Sequence, residues 1–499
     1  MSANRINEEA DVVVVGGGPA GSTLATVVAM RGHRVVVLER EKFPRWQIGE
    51  SLLPSTIHGV CRLTGVAGEL AKAGFTKKRG GTQRWGANPE PWTFAFSLSP
   101  KMTGETSYAY QVERSKFDQI LLDHARRTGA DVREEHAVSK VLISDDRVCG
   151  VSYKDAGGNE GTIHAKYVVD ASGNMSRISQ QVGAVRQYSE FFRNLALFGY
   201  FEGGKRLPEP NSGNVLSCAF DSGWFWYIPL TPTLTSVGAV IRHELASKIQ
   251  GDPEEALTAL IAECPMISDY LHDAKRVTEG QYGKLRIRKD YSYANTKFWH
   301  PGMALVGDAA CFVDPIFSSG VHLATYGALL AARSINSVLA QEVDEETAFR
   351  EFDQRYRREF GVYYEFLVAF YDLNVVEDSY FWSAKKVTDS TSSDLQSFVE
   401  LVGGVSSGEA ALAVGESGAS HYKRRSSEFA TAVEQLVANK EQSMVPIIRS
   451  SVVKGAMQEG TKEQARALLG RDLGPEVPLF EKGLIASPDG LSWSLPARS

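Results

Sequence analysis

Val12–Val15 is a short, unbroken β-branched run between polar residues, the pattern of a parallel strand buried on both faces. Ser22–Arg31 has helical spacing, Gly32 ends it, and Arg34–Leu38 reads as a second strand. Strand, helix, strand in so short a span predicts a βαβ unit. Ile57–Ala73 again has helical apolar spacing, and Phe75–Trp85 reads as strand and loop. Phe117–Thr128 is amphipathic, with Ile120, Leu121, Leu122 and Ala125 on its apolar side. Ala137–Ile143, Val148–Tyr153 and Tyr167–Asp170 are strand-like, and Asp155–Asn159 supplies a turn.

From Asn194 to Arg242 the rhythm changes to alternating, aromatic-rich strands with turn residues between them. That predicts a separate antiparallel sheet, suited to floor a substrate pocket. Pro253–Leu271 is helical. Met303–Val306 returns to a buried strand, which makes the first domain discontinuous. Val321–Ala340 and Thr347–Leu373 are long helices. Thr391–Glu409 and Ala411–Ser420 are rich in Ser, Gly and Glu, and the remainder to Ser499 reads as further helices with a loop-like tail.

The expected architecture is therefore α/β in three parts. Residues 1–190 and 280–345 form the discontinuous first domain. Residues 191–279, with parts of 75–115, form the antiparallel sheet, and 346–499 form a mainly helical region. With 43% apolar and 23% charged residues among 499, a chain of this length builds a sizeable core. A net charge of −6 argues against a nucleic-acid surface. The five cysteines are odd in number and lack metal-ligand spacing, which points to a reducing cytoplasm and no bound metal. The N-terminus has no apolar signal core, and no apolar run is long enough to span a bilayer.

The candidate chemistry begins at the first turn. Gly16, Gly18 and Gly21 occupy the G-x-G-x-x-G positions, with Pro19 and Ala20 between them. Gly16 permits the tight turn, Gly18 lets a pyrophosphate approach the backbone, and Gly21 lets the helix lie close to the strand. The helix N-terminus then points orphan N–H groups and a positive dipole end at the phosphates. Glu39 closes the second strand, 18 residues past Gly21, where an acid takes a ribose 2′-hydroxyl. An acid at this place favours FAD or NAD over NADP. Gly307–Asp308 follows a strand and precedes a helix, so Asp308 suits the ribityl chain of a flavin. Arg45 and Arg114 join these as candidate cofactor contacts.

The pairing of these motifs resembles the FAD-dependent monooxygenase superfamily, implying a Rossmann-type FAD domain beside an antiparallel-sheet substrate domain. Two further motifs sharpen the resemblance. Trp224, Trp226, Ile228 and Pro229 form W-x-W-x-I-P, and Phe75, Lys78 and Gly80 form F-x-x-K-x-G. With FPRWQIGESLLP at Phe43–Pro54 and DPIFSSGVHLA at Asp314–Ala324, the chain resembles the flavin halogenases of glycopeptide-antibiotic biosynthesis, of the vancomycin, balhimycin and teicoplanin type. The similarity runs nearly end to end, through Ser397–Glu409 and Ser487–Gly490.

The resemblance implies a two-component, FADH2-dependent halogenase acting on the phenol ring of tyrosine-derived residues, ortho to the hydroxyl. Reduced flavin and O2 would form a C4a-hydroperoxide, and chloride would attack its distal oxygen to give hypochlorous acid. The backbone N–H groups of Ser319 and Gly320, at a helix start, would seat chloride; a plain N-cap is compatible with the same loop. Lys78 would either hydrogen-bond hypochlorous acid or become a chloramine, and the sequence leaves both open. A solvated basic run with Lys77 and Arg79 is the bland alternative. Trp224 and Trp226 would share one strand face and wall the flavin from the substrate. Phe317 stands where tryptophan halogenases carry a Glu near the indole, which fits a phenol in the substrate pocket. Reduced flavin would come from a separate NAD(P)H-dependent reductase, since no second G-x-G-x-x-G is present. The substrate would ride on a peptidyl carrier protein of a non-ribosomal peptide synthetase. The rivals are an FAD and NAD(P)H aromatic hydroxylase acting on a free small aromatic, and a non-catalytic flavin-fold binding protein.

Overall fold

The computed structural model describes residues 6–85, 90–98, 107–189, 191–289, 292–372, 478–480 and 483–496. Five parallel strands form the centre of an eight-stranded first sheet, in the order Met303–Leu305, Glu160–Asp170, Ile6–Val15, Val35–Leu38 and Asp131–Arg133, with three antiparallel strands added. Val12, Val13 and Val14 lie fully buried in it, in one core with the helices packed on the sheet and with Val141, Val148 and Val151 of the antiparallel strands Ala137–Ser144 and Arg147–Lys154. Those helices are Pro19–Ala29, Arg114–Thr128 and Ser319–Leu339, with Glu345–Asp372 packed on the last. A strand from residue 303 onward thus completes a sheet begun at residue 6.

Several expected elements shift. The first helix starts at Pro19, three residues before Ser22, because proline has no N–H to lose in a first turn and Gly18 serves as N-cap. Ile57–Ala73 is not one helix. It breaks into a π-type turn at Ser55–Val60, a short turn at Cys61–Leu63 and a helix at Ala67–Lys72, divided at Gly65 with φ 86°. Pro253–Leu271 likewise splits at Cys264–Pro265 into Pro253–Ala262 and Pro265–Tyr270.

The second sheet is built on Asn194–Glu202, Leu234–Arg242, Gly223–Pro229 and Val215–Phe220, joined antiparallel. It is not purely antiparallel: Val215–Phe220 pairs in parallel with Gly80–Arg84, from the early part of the chain. Nor do its strands alternate between water and core, because both faces are covered. One face packs toward the first sheet. The other carries its own cluster, including Leu216, Phe225 and Tyr227 against Leu257, Leu260 and Ile267 of the two short helices.

The terminal region also departs from the helical expectation. Thr391–Glu409 and Ala411–Ser420 lie outside the described residues. Ile485–Ala486 and Trp493–Ser494, however, form a two-stranded pair against the Ser319–Leu339 helix. Trp493 Nε1 donates to Ser334 Oγ at 2.9 Å, and Asn336 Nδ2 donates to Leu491 O at 2.8 Å. Arg31, just past the first helix, reaches Ser492 Oγ at 2.7 Å. Among the described residues no helix is long and apolar enough to cross a membrane.

One glycine couples the second sheet to the site below. Gly238 stands opposite Trp226 in the strand register, and a Cβ there would fall 2.2 Å from Trp226 Cζ2. Gly238→Ala should therefore tilt the indole off the sheet and destabilise the protein by about 1–3 kcal/mol, the usual cost of overpacking. Thermal unfolding, with tryptophan fluorescence as the reporter, checks this.

Candidate functional site

A cleft opens where the parallel strands end at their C-termini, the position at which open α/β sheets bind ligands. Gly16, Glu39, Ala171 and Gly307 follow four of those strands and line it. Glu39 is buried, accepting from Gly17 N at 2.6 Å and Glu41 N at 2.8 Å. The three glycines differ in what requires them. A Cβ on Gly21 would fall 1.9 Å from Gly16 O, so the fold itself demands that glycine. A Cβ on Gly18 would meet only Arg45 Nη2, at 3.4 Å. Nothing in the protein needs the Gly18 side open, so its bareness suits a ligand.

Arg45 and Arg114 are held in place by Asp118, which sequence reasoning missed. Asp118 Oδ2 accepts from Arg45 Nη1 at 2.7 Å and Arg114 Nη2 at 2.8 Å, and its Oδ1 accepts from Arg114 Nε at 2.7 Å. Burial alone would raise the Asp118 carboxyl; the two guanidiniums overcome it and hold the group below its ordinary range. Its signal in the sequence was an acid four residues after Arg114 on the buried face of an amphipathic helix. Arg114 also donates to Ile48 O and Gly49 O, which pins the loop before Glu50. Asp308 lies in the cleft wall, where burial pushes its carboxyl up to about 6 against the pull of Arg114, Arg288 and Arg186.

Lys78 and Lys77 part company on the short strand Thr76–Lys78, because successive strand side chains face opposite ways. Lys77 is exposed, its Nζ 4.6 Å from the centre of the Tyr108 ring. Lys78 is 3% exposed, and its Nζ donates to Ser51 Oγ at 2.9 Å, Leu52 O at 3.2 Å and Ser318 Oγ at 3.3 Å. No carboxylate pairs with it among the described residues. Burial pulls its amine down to about 7. Ser51 and Ser318 line the cleft, so Lys78 sits one layer behind the wall. His58 lies apart, 2.8 Å from Tyr108 O.

Trp224 and Trp226 both line the cleft from Gly223–Pro229. Their rings are 6.2 Å apart in a row continued by Phe198, 5.4 Å from Trp226, and Trp46, 6.2 Å beyond. Trp224 Nε1 donates to Tyr371 OH at 2.7 Å, and Trp226 Nε1 to Ser236 Oγ at 3.2 Å. Opposite, Ser318 in the left-handed region (φ 61°) starts the Ser319–Leu339 helix, two residues earlier than expected. The first-turn N–H groups of Ser319 and Gly320 have no acceptor within the helix. Gly320 lines the cleft, whereas the Ser319 side chain is wholly buried away from it. Phe317 does not line this cleft either. It packs edge-on against Phe370, ring centres 4.6 Å apart.

A family model described as tryptophan halogenase matches residues 11–105 and 98–446. The chain belongs to the flavin-dependent tryptophan halogenase family. It is 51% identical to the myxobacterial chondrochloren halogenase, whose structure covers 98% of this chain over 100% of its own, with a TM-score of 0.77. The halogenase CmlS is 35% identical over 77% of this chain and 68% of its own, with a TM-score of 0.70. Tryptophan 2-halogenase of Chondromyces crocatus is 34% identical over 380 residues, 75% of this chain and 70% of its own. The protein is thus a flavin-dependent halogenase using FAD, chloride and O2, and its fold is the α/β fold of that family. Such enzymes in general draw reduced flavin from a separate reductase. The cleft fits FAD: glycine backbone and a buried acid at one end, a helix N-terminus and an aromatic wall at the other.

Two outcomes follow from this geometry. Gly18→Val should fold, with unchanged far-ultraviolet circular dichroism, and lose FAD binding in a flavin titration, whereas Gly21→Val should fail to fold. Lys78→Met should raise the unfolding temperature. A cation whose native value is depressed from 10.5 to about 7 costs stability fully at and below pH 7, and the cost fades between the two values. The gain in unfolding temperature should follow that course in scans at several pH values.

Proposed function

We propose that this halogenase chlorinates a phenol ring ortho to its hydroxyl, on a tyrosine-derived residue carried as a thioester by a peptidyl carrier protein of a non-ribosomal peptide synthetase. A separate NAD(P)H-dependent reductase supplies its FADH2. Bound reduced flavin, with O2 and chloride, supplies hypochlorous acid. The chain's own residues seat the halide, exclude direct oxygen transfer and direct the chlorine.

The observation that carries the reading is Lys78. A buried amine with no carboxylate partner among the described residues, held by Ser51 and Ser318 just behind the cleft wall, is placed to meet a small neutral oxidant leaving the cleft. With its proton affinity lowered by burial, it serves as a hydrogen-bond donor to hypochlorous acid or as a free amine for chloramine formation. Ser319 and Gly320 offer first-turn N–H groups to chloride. Trp224 and Trp226 form the wall that keeps the flavin oxygen from the substrate. Gly16, Gly18, Pro19, Ala20, Gly21, Glu39, Arg45, Arg114 and Asp308 hold the dinucleotide. The phenol assignment rests on Phe317 in place of the acid expected near an indole. The carrier assignment rests on the resemblance in Phe43–Pro54 and Asp314–Ala324. The matched relatives include tryptophan and fungal halogenases, so free tryptophan is the competing substrate.

Mass spectrometry of carrier-bound tyrosyl thioesters, free tyrosine and free tryptophan decides among these, with a flavin reductase, NADH, FAD, O2 and chloride present. A shift by one chlorine on the carrier-bound phenol alone is the expected result; chlorotryptophan overturns the phenol reading, and chlorination of free tyrosine alone overturns the carrier. Lys78→Ala should keep FAD affinity and oxygen consumption while chlorinated product falls on the order of 100-fold. Lys77→Ala should chlorinate at nearly the parent rate. Steady turnover with NADH and no reductase overturns the two-component reading in favour of the hydroxylase architecture.

A further inference from the structure

The halogenase reaction has a proton balance that Lys78 and the chloride seat leave unanswered. Per turnover, FADH2 + O2 + Cl− + H+ gives FAD + HOCl + H2O. Flavin gives up two electrons and chloride gives up two, and O2 takes all four. One O–O bond breaks, one O–Cl bond forms, and one proton must enter from outside the reactants. One proton per turnover is therefore taken up at the cleft, and a buried acid there can supply it.

Glu50 is built as that acid. Its backbone is fixed, because Val112 N donates to Glu50 O at 2.7 Å and Arg114 pins Ile48 and Gly49 before it. Consecutive residues in this extended segment point opposite ways: Ser51 goes to Lys78, and the Glu50 side chain goes to the aromatic wall. Glu50 is 2% exposed. Trp46 Nε1 donates to Tyr200 OH at 2.8 Å, and Tyr200 OH donates to Glu50 Oε1 at 2.8 Å. An indole N–H is a donor only, so Tyr200 OH accepts from Trp46, and its own proton points to Glu50 Oε1. Oε1 is therefore an acceptor, and a proton on Glu50 resides on Oε2. By hydrogen-bond geometry Oε2 has no partner among the described residues, and the Ser236 hydroxyl, which accepts from Trp226 Nε1, faces the carboxyl. Because Trp46 does not give up its N–H, the proton enters and leaves through Oε2.

We propose that Glu50 is the proton donor for the formation of hypochlorous acid, delivering the proton from Oε2 into the cofactor end of the cleft. The groups facing its carboxyl are Tyr200 and Ser236 from the sheet, Arg114 from its helix, Arg286 from the neighbouring edge strand and Tyr282 from the adjoining turn. Burial raises the carboxyl to about 7, and Ser236, Tyr200, Arg114 and Arg286 oppose it. Its acid form is thus populated at neutral pH, and the step it serves slows as pH rises through that value. The assignment concerns the making of hypochlorous acid and stands apart from the identity of the aromatic substrate.

The test uses the full chain as parent, Glu50→Gln and Tyr200→Phe. Infrared titration of the flavin-free protein should show the carbonyl stretch of a protonated carboxyl that titrates near 7, is absent from Glu50→Gln and shifts when FAD is added. Hypochlorous acid release, from reduced FAD, O2 and chloride with a chlorine-trapping reagent and no aromatic substrate, should fall at least about tenfold in Glu50→Gln and lose its alkaline break. FAD affinity should stay within about twofold of the parent. Tyr200→Phe removes a bond that favours the carboxylate, so its break should move to higher pH. A parent lacking the infrared band overturns the proposal, as does a Glu50→Gln variant with parent yield and pH profile. The infrared titration needs no flavin, so it decides the case even if the variant binds FAD weakly.

Discussion

The site depends on one buried carboxylate. Asp118 sits on a helix face that would otherwise be apolar, and its charge is affordable only because two guanidiniums meet it there. Removing Asp118 would leave two buried cations unbalanced; removing either arginine would leave the acid short of a partner. The three therefore stand or fall together. Through Arg114 the clamp reaches Ile48 and Gly49, and so sets the path of the loop that carries Glu50 and Ser51. One ion cluster in the first domain thereby positions groups on both sides of the cleft wall.

That wall is in part a single extended segment. Alternation along a pleated backbone sends Glu50 to the cofactor side and Ser51 to Lys78, with no further element between the two chemistries. The hydrogen bond from Lys78 to Ser51 and the hydrogen bond from Tyr200 to Glu50 hang on neighbouring residues. Displacement of the segment would disturb both. Phe198, Trp226 and Trp224 complete the wall, with Trp46 next to Phe198 in the same aromatic row, each large ring limiting its neighbour's freedom.

Much of this was legible in the sequence, and the exceptions have physical causes. The buried strand Val12–Val15, the glycine turn and Glu39 are encoded locally, because each answers to its own neighbours along the chain. The F-x-x-K-x-G register singled out Lys78, and strand alternation makes it the buried lysine of the pair. Asp118 had only its spacing from Arg114 on one helix as a local signal, and the full cluster was hidden because Arg45 joins it from a separate loop. The Trp46–Tyr200–Glu50 relay was invisible for the same reason, spanning 154 residues between its first two members. The contact of the Phe317 ring with Phe370 was hidden too, since Phe370 lies on a helix whose packing no local pattern reveals. The second sheet read as half-exposed in style yet is covered on both faces, since the helices after residue 253 close over its far side.

The two-stranded pair near residue 490 bears on the order of assembly. Its Trp493 and Leu491 bond the helix that lies over Pro19–Ala29, and Asn336 reaches both Val27 O and Leu491 O. The nucleotide-binding core made by the first forty residues is therefore left unfinished until nearly the whole chain has been synthesised. Contacts of such sequence separation form slowly and leave apolar surface open meanwhile. During translation the glycine turn must wait, half-covered, for partners more than three hundred residues downstream. A chain released before that point has the residues of a flavin site without the helix and terminal pair that pack over its first helix.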